Sequence, residues 1–211
     1  MSLITLPDML PTIEVKAPGQ PSIDKVIAGA RRQVNQLVLD YATGQTPARN
    51  FTDSMAKMLT DRHSRAAVLG RQLAGDRRPR NMGDDIFASI VTLRERDYLE
   101  RFRRDLQAGR YTDEEGNPKV SQIQQRALAY TGKLVGTANE AFVAASWGHS
   151  FHWIMGAAEQ HCEDCPRLAA NSPYQWDNLP TVPRANKTQC KFNCRCHLKR
   201  DDGLEGFHAN A

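Results

Sequence analysis

Cysteine is missing from the first 161 residues of the chain, and all five cysteines lie between Cys162 and Cys196. The sequence also lacks an apolar run near the ~20 residues that a membrane-spanning helix needs. Its start has no basic segment followed by an apolar run, so we expect neither a signal peptide nor a membrane partner. The net charge of +4 is too small to indicate a strong polyelectrolyte.

Motifs typical of enzymes are also missing. We find no glycine-rich phosphate loop, no pair of carboxylates on a helix face and no nucleophile beside a base. His63, His149 and His152 have no acid or nucleophile partner visible in the sequence, which favours structural or surface roles. We therefore predict a protein that is not an enzyme, with no catalytic residue, no small-molecule substrate and no organic cofactor.

Most of the sequence is predicted to be helical. A chain of 211 residues forms one domain, or one domain with an appendage. Residues 1–21 contain four prolines and predict an extended arm, because proline removes a backbone donor and blocks helix formation. Apolar residues then recur every three or four positions. The four predicted helices run from a cap at Ser22 to Gly44, from a cap at Thr52 to Gly75, from about Asp84 to Gln107, and from Ser121 to near Gly148.

A polar turn at residues 111–118 separates the third and fourth helices, which predicts an antiparallel hairpin. The segment from Phe151 to Met155 has the character of a strand. The predicted fold class is mainly α: an extended helical bundle or hairpin with a small C-terminal, β-containing zinc knuckle. The predicted units are the arm 1–21, a helical domain 22–148 and a cysteine-rich module 149–211. We expect the helices to pack against one another and not against the module.

The cysteine spacing predicts one structural zinc site. A Cys-x-x-Cys turn offers two thiolates to one ion, and a later turn completes a tetrahedron. The alternatives are disulfides, which an odd cysteine count without a signal peptide disfavours, redox catalysis, for which no βαβ pattern follows, and unpaired thiols without a role. Five thiols compete for four positions, and His161 or His197 could replace one of them. The candidate ligands are Cys162, Cys165, Cys190, Cys194 and Cys196.

The segment from Arg184 to Arg200 carries six basic residues and no acidic one. Such a segment could neutralise phosphates or face an acidic protein surface. It supports an alternative function, a zinc-containing nucleic-acid-binding protein. A nuclease framed by zinc is disfavoured, because no Asp–His pair lies between the two cysteine turns.

Several motifs between Ser121 and Leu198 resemble the phage head-morphogenesis family, the Mu F-like minor head proteins. The most specific are the Cys-x-x-Cys pair and the Asn-Cys-Arg-Cys ending. Many members have His-Pro before that ending, whereas this chain has Cys190-Lys-Phe, one residue longer in spacing. The matching positions are the helix from Gln125 to Thr131, a strand with Trp153, Cys162 and Cys165 followed by Leu168 and Ala169, Leu179 and Pro180, and Asn193 to Cys196.

The resemblance implies a minor structural protein of a tailed-phage virion head, located near the portal after synthesis in the host cytoplasm. It implies a role in head morphogenesis or in DNA packaging or ejection, without catalysis. The expected partners are the portal, the major capsid protein or both, with weak contact to packaged DNA. It also suggests that Cys190 takes the ligand role of the family's histidine.

Overall fold

A computed structural model describes residues 22–157 and 160–208, so the predicted arm at residues 1–21 lies outside the described residues. The described chain is mainly helical, as predicted. None of its helices is both long enough and apolar enough to span a bilayer. The helices are α1 (Ile23–Ala42), α2 (Ala48–Leu73), α3 (Met82–Gln107), α4 (Val120–Leu128), α5 (Leu134–Ala145) and α6 (Asp164–Ala170).

The start of α2 differs from the prediction. Pro47 precedes the helix, and Thr52 lies one turn inside it, where its hydroxyl donates to the carbonyl oxygens of Ala48 and Arg49 at 3.1 and 3.0 Å. A threonine can satisfy its hydroxyl in this way inside a helix as well as at a cap. The predicted cap at Thr52 is therefore wrong.

The predicted fourth helix is broken. Residues Ala129–Lys133 form a 3-10 segment that separates α4 from α5. The hydroxyl of Thr131 donates to the carbonyl oxygen of Leu128 at 2.8 Å, and Gly132 is a weak helix former, so regular helical bonding is least favoured here. The predicted hairpin is likewise not the main packing unit, because α2 packs against α1, α3 and α5, while α4 packs against α1.

A small antiparallel sheet follows the helices. It contains β1 (Ser150–Ile154), β2 (Tyr174–Gln175) and β3 (His197–Arg200), in the order β2-β1-β3. Phe151 and Trp153 of β1 are buried, and Trp153 lies opposite Leu198 of β3. The strand predicted before Cys162 is thus confirmed, and the sheet fixes β3 directly after the last cysteine.

Two apolar cores hold the fold together. The first lies between α1, α2, α3 and α4, with Phe51 and Phe102 at its centre. The second joins α5 to the sheet and to the cysteine segment, residues 162–196, so Phe142 shares a core with Phe151 and Phe207. The expectation that the helices do not pack against the module is wrong, because one face of α5 has its apolar neighbours there. The boundaries of the three predicted units stay predictions.

Candidate metal centre

Local structure brings the five cysteines together. Cys162 and Cys165 form the turn that leads into α6, where the Cys165 N–H donates to the Cys162 carbonyl at 3.2 Å. Cys190 and Cys194 flank a single 3-10 turn, and Cys196 comes directly before β3. All five are described, and all are free thiols. The disulfide alternative therefore has no counterpart in this structure.

Cys165 lies at the centre of the cluster. Its Sγ is 3.4 Å from that of Cys162, 3.6 Å from that of Cys190 and 3.7 Å from that of Cys194. Four sulfurs bound to one zinc ion at about 2.3 Å would be separated by about 3.8 Å. Two overlapping groups have the spacing of metal ligands, and both contain Cys165: one with Cys162 and Cys190, the other with Cys194 and Cys196.

The thiols differ in acidity. Hydrogen bonding with Cys194, helped by the Gly156 N–H, lowers the pKa of Cys196 to about 5. Burial raises the pKa of Cys165, and the hydrogen bond with Cys196 together with burial raises that of Cys194. Without a cation, a negative charge shared by Cys194 and Cys196 therefore resides on Cys196. A bound divalent ion would supply the positive charge that lets its neighbours ionise.

Hydrogen bonds fix the two cysteine turns to each other. The Asp164 carboxylate, next to Cys165, accepts from the backbone N–H of Gln189, next to Cys190, at 2.9 Å. The Arg184 guanidinium donates to the carbonyl of Cys194 at 2.8 Å. These contacts hold the turns in place from outside the sulfur cluster, which is the support a metal site needs.

Neither histidine that the sequence offered as a replacement ligand belongs to the thiol groups. His161 is in no group of metal-ligand spacing among the described residues, and His197 lies beside Glu205 and His208. This second group was not predicted from the sequence, although a Glu-x-x-His spacing is present at 205–208. The contact to His197 depends on chain reversal after β3, which residue spacing does not reveal.

Fewer basic side chains of the segment 184–200 are available to bind an outside partner than its sequence indicates. Arg184 is half-buried and bonded to Cys194. Arg200 is buried and paired with Asp202 at 2.6 Å. Two of the six basic residues are thus engaged within the protein, which leaves at most four for an outside partner.

The described residues thus combine a helical bundle with a thiol cluster of the kind that binds soft metal ions. Comparison of the chain with protein-family models, with curated proteins and with solved structures finds no match.

Proposed function

We propose that the thiol cluster binds one structural zinc ion. The observation that supports this most strongly is the position of Cys165 within 3.7 Å of three other sulfurs. The donor set is all sulfur, which suits zinc better than oxygen-preferring ions, and a closed four-sulfur shell is typical of structural sites. Such a site would stabilise a segment that has little regular secondary structure of its own.

Single serine replacements test the site. Because Cys165 belongs to both sulfur groups, Cys165→Ser should lose the one equivalent of zinc that the thiol cluster binds. Because zinc binds four ligands and the cluster has five thiols, we also expect that one of the other four serine replacements leaves the bound zinc unchanged. Zinc per chain is measured by atomic emission after dialysis, with Ser121→Ala, an exposed position of α4, as the control. A wild-type protein that carries no metal, or a Cys165→Ser variant that binds as much zinc as wild type, would contradict the proposal.

We further propose that the protein is a minor structural component of a tailed-phage head that binds near the portal, without catalysis. The sequence support is the Cys-x-x-Cys pair together with the Asn-Cys-Arg-Cys ending. The structural support is an apolar stripe on α3 at spacings of four, four and three residues, which is one helix face. Its members and their exposed fractions are Met82 at 76%, Ile86 at 53%, Ile90 at 47% and Leu93 at 63%.

An exposed stripe of this kind is typical of a protein–protein contact, because soluble monomers rarely leave contiguous apolar surface uncovered. We assign the portal or the major capsid protein as its partner. Apolar contacts of this kind resist moderate salt, since screening acts on charges and not on apolar burial.

The stoichiometry of purified particles tests this proposal. We expect the protein at low copy number near the portal, and an Ile86→Asp/Ile90→Asp variant should fold but fail to enter particles. Lys57→Asp, an exposed position of α2, is the control and should enter normally. Normal incorporation of the double variant, or a protein found only free of particles, would refute the proposed interface.

The alternative, a nucleic-acid-binding protein, predicts a different response to salt. With at most four available basic residues, the log–log salt slope of duplex binding would be no steeper than about −3.6. Under our proposal, reversal of Lys187, Lys191 and Lys199 changes DNA retention little. Strong DNA binding that these reversals destroy would favour the alternative.

A further inference from the structure

Two imidazoles and a carboxylate converge beyond the thiol cluster. The His208 Nε2 is 3.2 Å from one oxygen of Glu205, and the His197 Nε2 is 3.9 Å from the other. The two imidazole rings lie with their centroids 4.1 Å apart. The three donor atoms are all within 4.8 Å of one another.

Chain reversal after β3 creates this arrangement. Lys199 pairs with Glu205 in an antiparallel bridge. The Arg200 N–H donates to the Leu204 carbonyl, and the Gly206 N–H donates to the Leu198 carbonyl, each at 2.8 Å. The returning segment is thereby held beside the strand that carries His197.

The segment is also anchored to α5. The buried Asn139 side chain donates to the Phe207 carbonyl at 3.1 Å and accepts from the Phe207 N–H at 2.8 Å. The Phe207 ring is itself part of the second core. Glu205 and His208 flank this anchored residue, so little backbone freedom remains to be lost when a ligand binds.

We propose that His197, Glu205 and His208 form a second metal site, which binds Zn²⁺ or a similar first-row transition ion. Imidazole and carboxylate ligands suit these ions. Ligand atoms about 2.0–2.2 Å from a tetrahedral ion are separated by about 3.4 Å. The His208–Glu205 distance already matches that value, and no pair of the three donor atoms needs to close by more than about 1.4 Å.

The proposed site differs in kind from the thiol cluster. It offers three protein ligands, which leaves a position for water or an external donor, as in open zinc sites. The side chains of His197, Glu205 and His208 are 13%, 32% and 34% exposed, so the open position faces the surface. An external carboxylate or imidazole from a partner protein could complete the shell.

Metal retention by the full chain tests the proposal. Protein is loaded with Zn²⁺, dialysed against metal-free buffer and analysed by atomic emission. We expect Glu205→Gln and His208→Ala each to lose one equivalent per chain relative to wild type. His152→Ala, which removes an exposed histidine of β1, is the control and should lose none.

A second measurement separates this site from the thiol cluster. Cobalt bound to thiolates shows intense sulfur-to-metal charge transfer, whereas cobalt bound to nitrogen and oxygen does not. Glu205→Gln should therefore lose one equivalent of cobalt while the charge-transfer band keeps its intensity. Equal metal retention in Glu205→Gln, His208→Ala and wild type would overturn the proposal and leave an ion-paired cluster without metal. Loss of the charge-transfer band together with the equivalent would also overturn it.

Discussion

His63 places an imidazole in the contact between α2 and α5, fully buried. Its Nδ1 lies 2.7 Å from the Thr137 hydroxyl, while its Nε2 has no hydrogen-bond partner among the described residues. Burial, and secondarily the charge of Lys133, lower the pKa of His63 to about 3. The folded protein therefore keeps this side chain neutral at a pH where an unfolded chain would protonate it.

The pH dependence of stability should report this histidine. Because the folded pKa lies below the unfolded value, the unfolded state binds more protons as the pH falls, and stability is lost from about pH 6.5 downward. Between pH 6.5 and 5.5 we expect His63 to account for about 1 kcal/mol of lost unfolding free energy. His63→Gln, which cannot titrate, should lack this component in urea titrations at the two pH values. Parallel pH profiles for wild type and His63→Gln would contradict the assignment.

At the scale of the elements, α5 is closely packed against the cysteine segment. A Cβ built on Gly136 would lie 2.3 Å from the Arg184 carbonyl oxygen, a backbone atom that cannot move alone. A Cβ on Gly132 would meet only the side chain of Phe192, at 3.1 Å. The two glycines therefore tolerate an added methyl group to different degrees.

Alanine replacements should show this difference. Gly136→Ala is expected to destabilise the protein by about 2 kcal/mol, because the added methyl overpacks a backbone contact. Gly132→Ala should change stability by less than about 1 kcal/mol, since the Phe192 ring can shift. Chemical denaturation of both variants checks the prediction. Equal losses would show that the contact at Gly136 relaxes without cost.

The start of α3 has a capping box. The Asn81 side chain accepts from the backbone N–H groups of Gly83 and Asp84 at 2.8 and 3.4 Å, and the Asp84 carboxylate accepts from the Asn81 N–H at 2.9 Å. Asn81→Ala should therefore cost about 1 kcal/mol of unfolding free energy. Thr52→Ala, inside α2, should cost less, because Thr52 caps no helix. The two variants are compared by thermal denaturation, and a larger loss at Thr52 would count against this account.

Periodicity in the sequence was sufficient to predict the helices but not their interruptions. Apolar residues at helical spacing identified α1, α2 and α3, because each helix buries one stripe. Pro47 was not recognised as the start of α2, since Thr52 has the same chemistry as a cap. The break in the helix at 129–133 could not be predicted, because residues at helical apolar spacing continue through it.

The candidate site was predictable to the extent that its residues are close in sequence. The two cysteine turns could be recognised from their spacing, whereas their relative position depends on hydrogen bonds such as that from Gln189 to Asp164. The approach of His197 to Glu205 required a chain reversal and an anchor from α5. Such long-range contacts leave no periodic signal.

At the scale of the whole molecule, the shared core makes the helical part depend on the C-terminal part. Removal of residues after about Ser150 should expose Phe142 and Val135 and abolish a cooperative thermal transition, even if helical circular dichroism persists. This outcome replaces the expectation of an independent helical domain. Thermal melts followed at 222 nm compare the truncated and full chains. A sharp transition at an unchanged temperature would show that the first core is sufficient.

The second core also has a consequence for the order of events during synthesis. Ile23, at the start of α1, shares that core with Phe207, which the ribosome adds near the end of the described residues. Contacts so distant in sequence form late, because loop closure must come before them. The apolar face of the nascent helices therefore stays exposed until the cysteine segment has been synthesised. Partly folded chains with exposed apolar surface are prone to aggregate. If zinc fixes that segment, the supply of metal in the producing cell would set how long this vulnerable stage lasts.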